Sequence, residues 1–170
     1  LAQYRRALRI NPRLADAHTN VGITLARQGH QEAAMAALQN AARLDPDNPQ
    51  AQLNLAVCSA ELRRPDQAAV AIHRVEELVS DPPAEMLHQI GNIYRALGMP
   101  MDAQDYYQRA LQKRPDEAGI WYALGDVRSL SGEHEPALSA LDEAEKHGYP
   151  KAQLRLAQAR VAPNRGELDE

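Results

Sequence analysis

Residues 20–46 read NVGITLARQGHQEAAMAALQNAARLDP, and the fold follows from how this stretch returns along the chain. Gly22 comes back as Gly91 and Gly125, 69 and then 34 residues on, with Ala56 filling the step between. Gly29 returns as Gly98 and Gly132, always seven residues after the first set. Ala34, Ala68, Ala103 and Ala137 follow at spacings of 34, 35 and 34, and Ala7, Ala41, Val75, Ala110 and Ala144 make a further column. Pro12, Pro46 and Pro115 close the unit in register, whereas Pro82 and Pro83 lie just past it. The one extra residue therefore sits in the Ser80–Pro83 connection, where an insertion disturbs least. Self-similarity at such a period marks a stack of identical supersecondary units.

Within a unit the apolar residues return every three or four positions, the helical period, with no alternating stretch and no β-branched run. Gly22 falls inside a helix, where glycine costs about 1 kcal/mol against alanine. That cost is understandable if two helix backbones approach closely there. The Gly29 column stands between the helices, where a residue of positive φ ends the first of them. Pro65, Pro100 and Pro136 then fall in the first turn of the second helix, where a missing N–H is harmless. Each unit is predicted to be two antiparallel helices joined by a tight turn.

The remaining composition excludes much. The chain has 170 residues with nine Gly and eleven Pro, and 19 basic against 23 acidic residues give a net charge of −4. A mildly acidic balance argues against a protein built to hold nucleic-acid backbone. A single cysteine, Cys58, excludes an internal disulfide framework and reads as a small buried apolar residue. No apolar run approaches the roughly 20 residues needed to cross a bilayer, and no signal-peptide pattern opens the chain. A soluble protein is expected, with cytoplasm and bacterial periplasm both compatible. The six histidines fall in different columns, the glycines keep the repeat period and not a phosphate-loop spacing, and adjacent acids such as Glu76-Glu77 diverge on a helix. No catalytic constellation, metal site or cofactor is expected.

The spacing Asn20-Val21-Gly22, Leu25, Gly29, Ala34, Ala41 and Asp45-Pro46 resembles a tetratricopeptide repeat. So does Trp121, Leu124-Gly125, Gly132, Ala137 and Ala144, and the regular third unit, Ile90-Gly91, Tyr94, Gly98, Ala103, Tyr107, Ala110 and Pro115. The second unit departs most, with Ala56 for the helical glycine and Arg63 for the turn glycine. The resemblance implies an all-α fold, a right-handed superhelical solenoid of antiparallel helix pairs, whose first helices line a concave groove. It also implies a non-catalytic scaffold that takes a peptide or helix of another protein in that groove. An alternative is that the chain is a regulatory or substrate-docking arm of something larger, such as a glycosyltransferase or a bacterial secretion or polysaccharide-export component.

The expected organisation is a second helix of an incomplete repeat at 1–14, units at 15–48, 49–83, 84–117 and 118–149, a capping helix at 150–162 and a flexible tail at 163–170. The isolated half-unit at the start leads to the expectation of a longer parent chain. First-helix residues that fall between the packing columns define the candidate groove: Asn20, Ile23, Leu53, Asn54 and Val57, then His88, Asn92, Arg95, Tyr122 and Asp126. Ile23, Leu53 and Val57 make an apolar half, and the later residues a polar half. Leu1, Tyr4 and Leu8 on the opening helix offer a surface for self-association, beside an arginine cluster at Arg5, Arg6, Arg9 and Arg13.

Overall fold

The protein is described here by a computed structural model covering residues 1–161, so the expected tail at 163–170 lies outside the described residues. Ten helices and no strand make up the described chain. They are α1 (Ala2–Ile10), α2 (Ala15–Arg27), α3 (Gln31–Leu44), α4 (Pro49–Glu61), α5 (Pro65–Leu78), α6 (Ala84–Ala96), α7 (Pro100–Lys113), α8 (Ala118–Leu130), α9 (His134–Lys146) and α10 (Lys151–Val161). The chain divides into two compact units, Leu1–Pro82 and Pro83–Glu170. In the first, α2 pairs with α3 and α4 with α5, and α1 lies on α2. In the second, α6 pairs with α7 and α8 with α9, and α10 packs on α9 and α8.

The helical glycines stand where pairing is tightest. A Cβ at Gly22 would lie 2.6 Å from Leu38 Cγ, at Gly91 2.5 Å from the Tyr107 ring, and at Gly125 2.8 Å from Leu141 Cγ. Real Cβ atoms do not approach so closely, so the missing methyl is the space into which the large residue sixteen positions later fits. Around it the Ala34 column and most of the Ala41 column are fully buried. In the α4–α5 pair Ala56 stands at the glycine's place and Ile72 at the large residue's, and both are buried.

The four pairs, and the connection from α9 to α10, turn in the same way. The N–H of His30, Arg64, Met99, Glu133 and Tyr149 returns to the carbonyl of the residue five earlier, in every case at 2.9 Å. This closure demands a left-handed residue just before the returning N–H. Gly29, Gly98, Gly132 and Gly148 supply it with φ between 75° and 88°. Arg63 takes the same place at φ 56°, so the α4–α5 pair keeps the turn without the glycine.

A second recurring bond joins consecutive pairs. Side-chain donors near the start of a first helix reach the carbonyl of the closing proline six residues earlier. His18 Nε2 donates to Pro12 O at 2.9 Å, Gln52 Nε2 to Pro46 O at 3.3 Å, and Trp121 Nε1 to Pro115 O at 2.7 Å. At the corresponding position of α6 stands Leu87, which has no donor to give.

Two substitutions test these constraints by urea denaturation. Arg63→Gly relieves a left-handed non-glycine residue and is expected to stabilise the chain by about 1 kcal/mol. Gly125→Val forces a branched side chain against Leu141 and is expected to cost roughly 1–3 kcal/mol, as overpacking does.

Candidate functional site

The sequence-predicted groove residues fall on first helices of both units, and each unit presents its own surface. In the first, α2 and α4 lie side by side. Ile23, Ala26 and Arg27 from α2 and Asn54, Val57 and Glu61 from α4 line an open cleft of about 230 Å³. Ile23 is half-buried, while Val57 is 37% exposed. Leu53 does not belong to this surface: it is 1% exposed. Its position lies at the border of the packed and open faces, where Thr19, His88 and Tyr122 at the same register remain half-buried. Those three carry polar atoms, whereas an all-carbon side chain gains by turning inward. The apolar half therefore reduces to Ile23 and Val57.

The two asparagines of this surface differ. Asn20 Nδ2 is spent on its own helix, donating to Asp16 O at 2.9 Å. Asn54 Oδ1 accepts from Gln50 Nε2 at 3.3 Å, but Asn54 Nδ2 is buried with no acceptor among the described residues. A buried amide donor without a partner is costly, so it favours an incoming acceptor at the cleft wall. Cys58 beneath is buried, points its Sγ at Gln31 O at 3.6 Å, and has its thiol pKa raised chiefly by that burial.

In the second unit the surface is charged and aromatic. Asp126 on α8 bridges two arginines: Arg95 Nη1 on α6 at 3.2 Å and Arg160 Nη2 on α10 at 3.0 Å. One carboxylate shared by two guanidiniums leaves a local excess of positive charge and unspent donors. Asn92 accepts from Tyr107 Oη at 2.8 Å, and His88 meets the same ring edge-on at 5.8 Å. Burial pushes the Tyr107 hydroxyl up to about 12, with Arg95 opposing and Asp126 adding to the effect. Burial also lowers His88, against the pull of Glu85 and Glu117. Tyr122 stacks on Tyr149 with ring centroids 4.3 Å apart.

His88, Asn92, Arg95 and Asp126 are thus linked through Tyr107 and the ion pairs, and Tyr122 stands with Tyr149. Sequence reasoning missed Tyr107, Tyr149 and Arg160 as members. Arg160 was readable as a polar residue of a capping helix; the echo of 51–57 (AQLNLAV) in 152–158 (AQLRLAQ) was the signal that α10 continues the first-helix series. Among the described residues no group of three or more His, Cys, Asp or Glu is placed to hold a metal ion, and no helix is long and apolar enough to cross a membrane.

Comparison with known proteins gives consistent results. Residues 25–89 and 88–152 each match a family model described as a tetratricopeptide repeat. The human protein O-mannosyl-transferase TMTC1 is 36% identical over 81 residues, which is 48% of this chain but 9% of that protein. Among solved structures, TTC0263, a thermophilic TPR protein of Thermus thermophilus, superposes with a TM-score of 0.73 at 21% identity, covering 94% of this chain and 87% of the other. MamA from Desulfovibrio magneticus RS-1 gives 0.74 at 17% identity over 88% and 84% of the two chains. YrrB, described as a TPR protein with an unusual peptide-binding site, gives 0.70 at 17% identity over 94% and 82%. At these identities the likeness speaks to the fold.

The buried tyrosine makes pH a probe of the second unit. A raised folded pKa means the folded state favours neutral Tyr107, so its contribution is complete below the unfolded value near 10 and is lost as pH rises through about 12. Thermal melts between pH 9 and 12 are expected to fall more steeply for the wild type than for Tyr107→Phe.

Proposed function

Because the chain belongs to the tetratricopeptide repeat family, and such repeats serve as protein-interaction scaffolds, we propose that it binds a segment of another protein on its first helices without doing chemistry itself. The observation that carries this reading is the cleft between α2 and α4, which joins apolar walls at Ile23 and Val57 to the unpartnered Asn54 donor. An apolar side chain in the cleft with its backbone carbonyl on Asn54 Nδ2 would satisfy both. The second unit offers a surface of its own: Arg95 and Arg160, held by one Asp126, favour an acidic residue of a bound segment. Preformed helices lose little freedom on docking, so such contacts translate into affinity with a small ordering cost. YrrB, with its peptide-binding site, supports the same class of ligand.

A second reading rests on the match to the O-mannosyl-transferase: the repeats serve as a docking arm of a larger enzyme. In that case the bound segment belongs to a substrate or regulator of the parent protein.

Peptide display against the full chain provides the ligands, and their affinity for variants provides the test. Ile23→Asp/Val57→Asp is expected to weaken apolar-anchored peptides at least tenfold. Arg95→Glu/Arg160→Glu is expected to weaken acidic peptides and to lessen the dependence of binding on salt. Peptides whose affinity is unchanged by both pairs would place binding elsewhere and sink this assignment.

A further inference from the structure

Arg128 of α8 stands in a packing column. The same register carries Leu25, Ser59 and Tyr94, at spacings of 34, 35 and 34 residues, all uncharged and all buried or half-buried. The fourth pair therefore takes a positive charge into a place where the other repeats put none. Arg128 is half-buried, and no carboxylate pairs with it among the described residues. Its Nη1 donates to Pro136 O at 3.3 Å, a long bond, and its Nε is buried with no acceptor. Other arginines that lack an ion pair among the described residues, such as Arg27, Arg43 and Arg155, are exposed to water. A charge drawn partly out of water and left unpaired is unfavourable, so the missing counter-charge is to be sought outside the chain.

The surroundings of Arg128 fit that need. Together with Gln108, Leu111 and Gln112 of α7 and Trp121 and Leu124 of α8, it lines an open cleft of about 380 Å³. Among the described residues of this lining, Arg128 alone is charged. Helix α7 could have neutralised it: at the register of Gln108 and Gln112, α9 carries Asp142 and α5 carries Glu77, but α7 presents two amides. The Trp121 indole is fixed by its Nε1 bond to Pro115 O at 2.7 Å, so its ring is a preset apolar wall. Both helices are interior to the chain and each is paired, α7 with α6 and α8 with α9. The equivalent cleft of the first unit has Gln52 in place of Trp121, and its charged residue is Asp66.

We infer that the α7–α8 cleft binds an acidic side chain of another protein, its carboxylate on the Arg128 guanidinium and an apolar neighbour of the same segment against Trp121. One cation facing no acid calls for an anion, and the planar guanidinium matches a carboxylate in geometry. Small acids bind tightly where a pocket encloses them, and this cleft is open. Its apolar walls instead suit a chain that lies across it and anchors on both sides of the carboxylate. The site shares no residue with either groove surface and stands apart from the binding role proposed above.

Trp121 is the single tryptophan of the chain, so its fluorescence reports on this cleft directly. The probes are the end-blocked peptide Gly-Leu-Glu-Leu-Gly and its counterpart with glutamine for glutamate, titrated into the full chain. The glutamate peptide is expected to change the fluorescence saturably and to shift the Arg128 Nε–H resonance. The glutamine peptide is expected to bind about tenfold more weakly, having lost the charge-assisted pair. Arg128→Leu places there the residue that Leu25 supplies at the same register, so helical circular dichroism should be unchanged. That variant is expected to bind the two peptides equally. Arg95→Glu/Arg160→Glu is expected to leave the titration as in the wild type, which separates this site from the groove. Phenylacetate alone is expected to bind more weakly than the glutamate peptide. No saturable change, an equal response to both peptides, a glutamate preference that survives Arg128→Leu or is lost in Arg95→Glu/Arg160→Glu, or phenylacetate binding as tightly as the peptide would each overturn the inference.

Discussion

In three of the four helix pairs, how closely the two helices approach is set by a missing methyl group. At Gly22, Gly91 and Gly125 the partner's large side chain occupies the space where a Cβ would stand. That approach closes the alanine columns on either side to solvent. In the third pair it reaches further. Tyr107 enters the gap at Gly91, and its buried hydroxyl donates to the half-buried Asn92 of α6. The polar surface of the second unit is thereby anchored in the core: Asn92 and His88 are held by a ring whose place depends on a glycine. Packing and candidate site are a single arrangement there, and in the first unit Leu38, which fills the gap at Gly22, likewise lines the cleft between α2 and α4.

Ion pairs add orientation more than stability. Arg64–Glu32 and Arg74–Asp47 tie α5 to the preceding α3 and its loop at 2.7 and 2.6 Å. All four side chains are substantially exposed, and solvent screening leaves such pairs little stability to give. Asp126 is different in degree. Its side chain is 13% exposed and engaged on both oxygens, so it fixes Arg95 and Arg160 in place while leaving them cationic.

The helix pairs were legible in the sequence because the constraint that builds them is steric and periodic. Small residues must recur wherever backbones touch, and glycine wherever the chain turns left-handed. Where a different residue meets the same demand, identity misleads. Arg63 adopts positive φ because the Arg64 N–H to Ser59 carbonyl bond fixes the turn, glycine being only the least strained occupant. Leu53 was misplaced because periodicity assigns a face to a residue but not a depth, and at a border position hydrophobicity decides. Arg160 and Tyr149 escaped because the register slips after Gly148, so the columns no longer point to their neighbours. Which donors remain unpaired, as at Asn54, is a property of the three-dimensional hydrogen-bond network and has no signature in spacing.

The bond to the closing proline carries a consequence for how such repeats drift. Histidine, glutamine and tryptophan occupy one place in three different pairs and meet the same carbonyl. What the place requires is an N–H on a side chain of sufficient reach, supplied by an imidazole, an amide or an indole. Neighbouring repeats descending from a common unit are then free to exchange residues with nothing in common in size or aromaticity. They diverge in sequence while the contact persists, and kinship between repeats is better traced by the group that donates than by the letter that carries it.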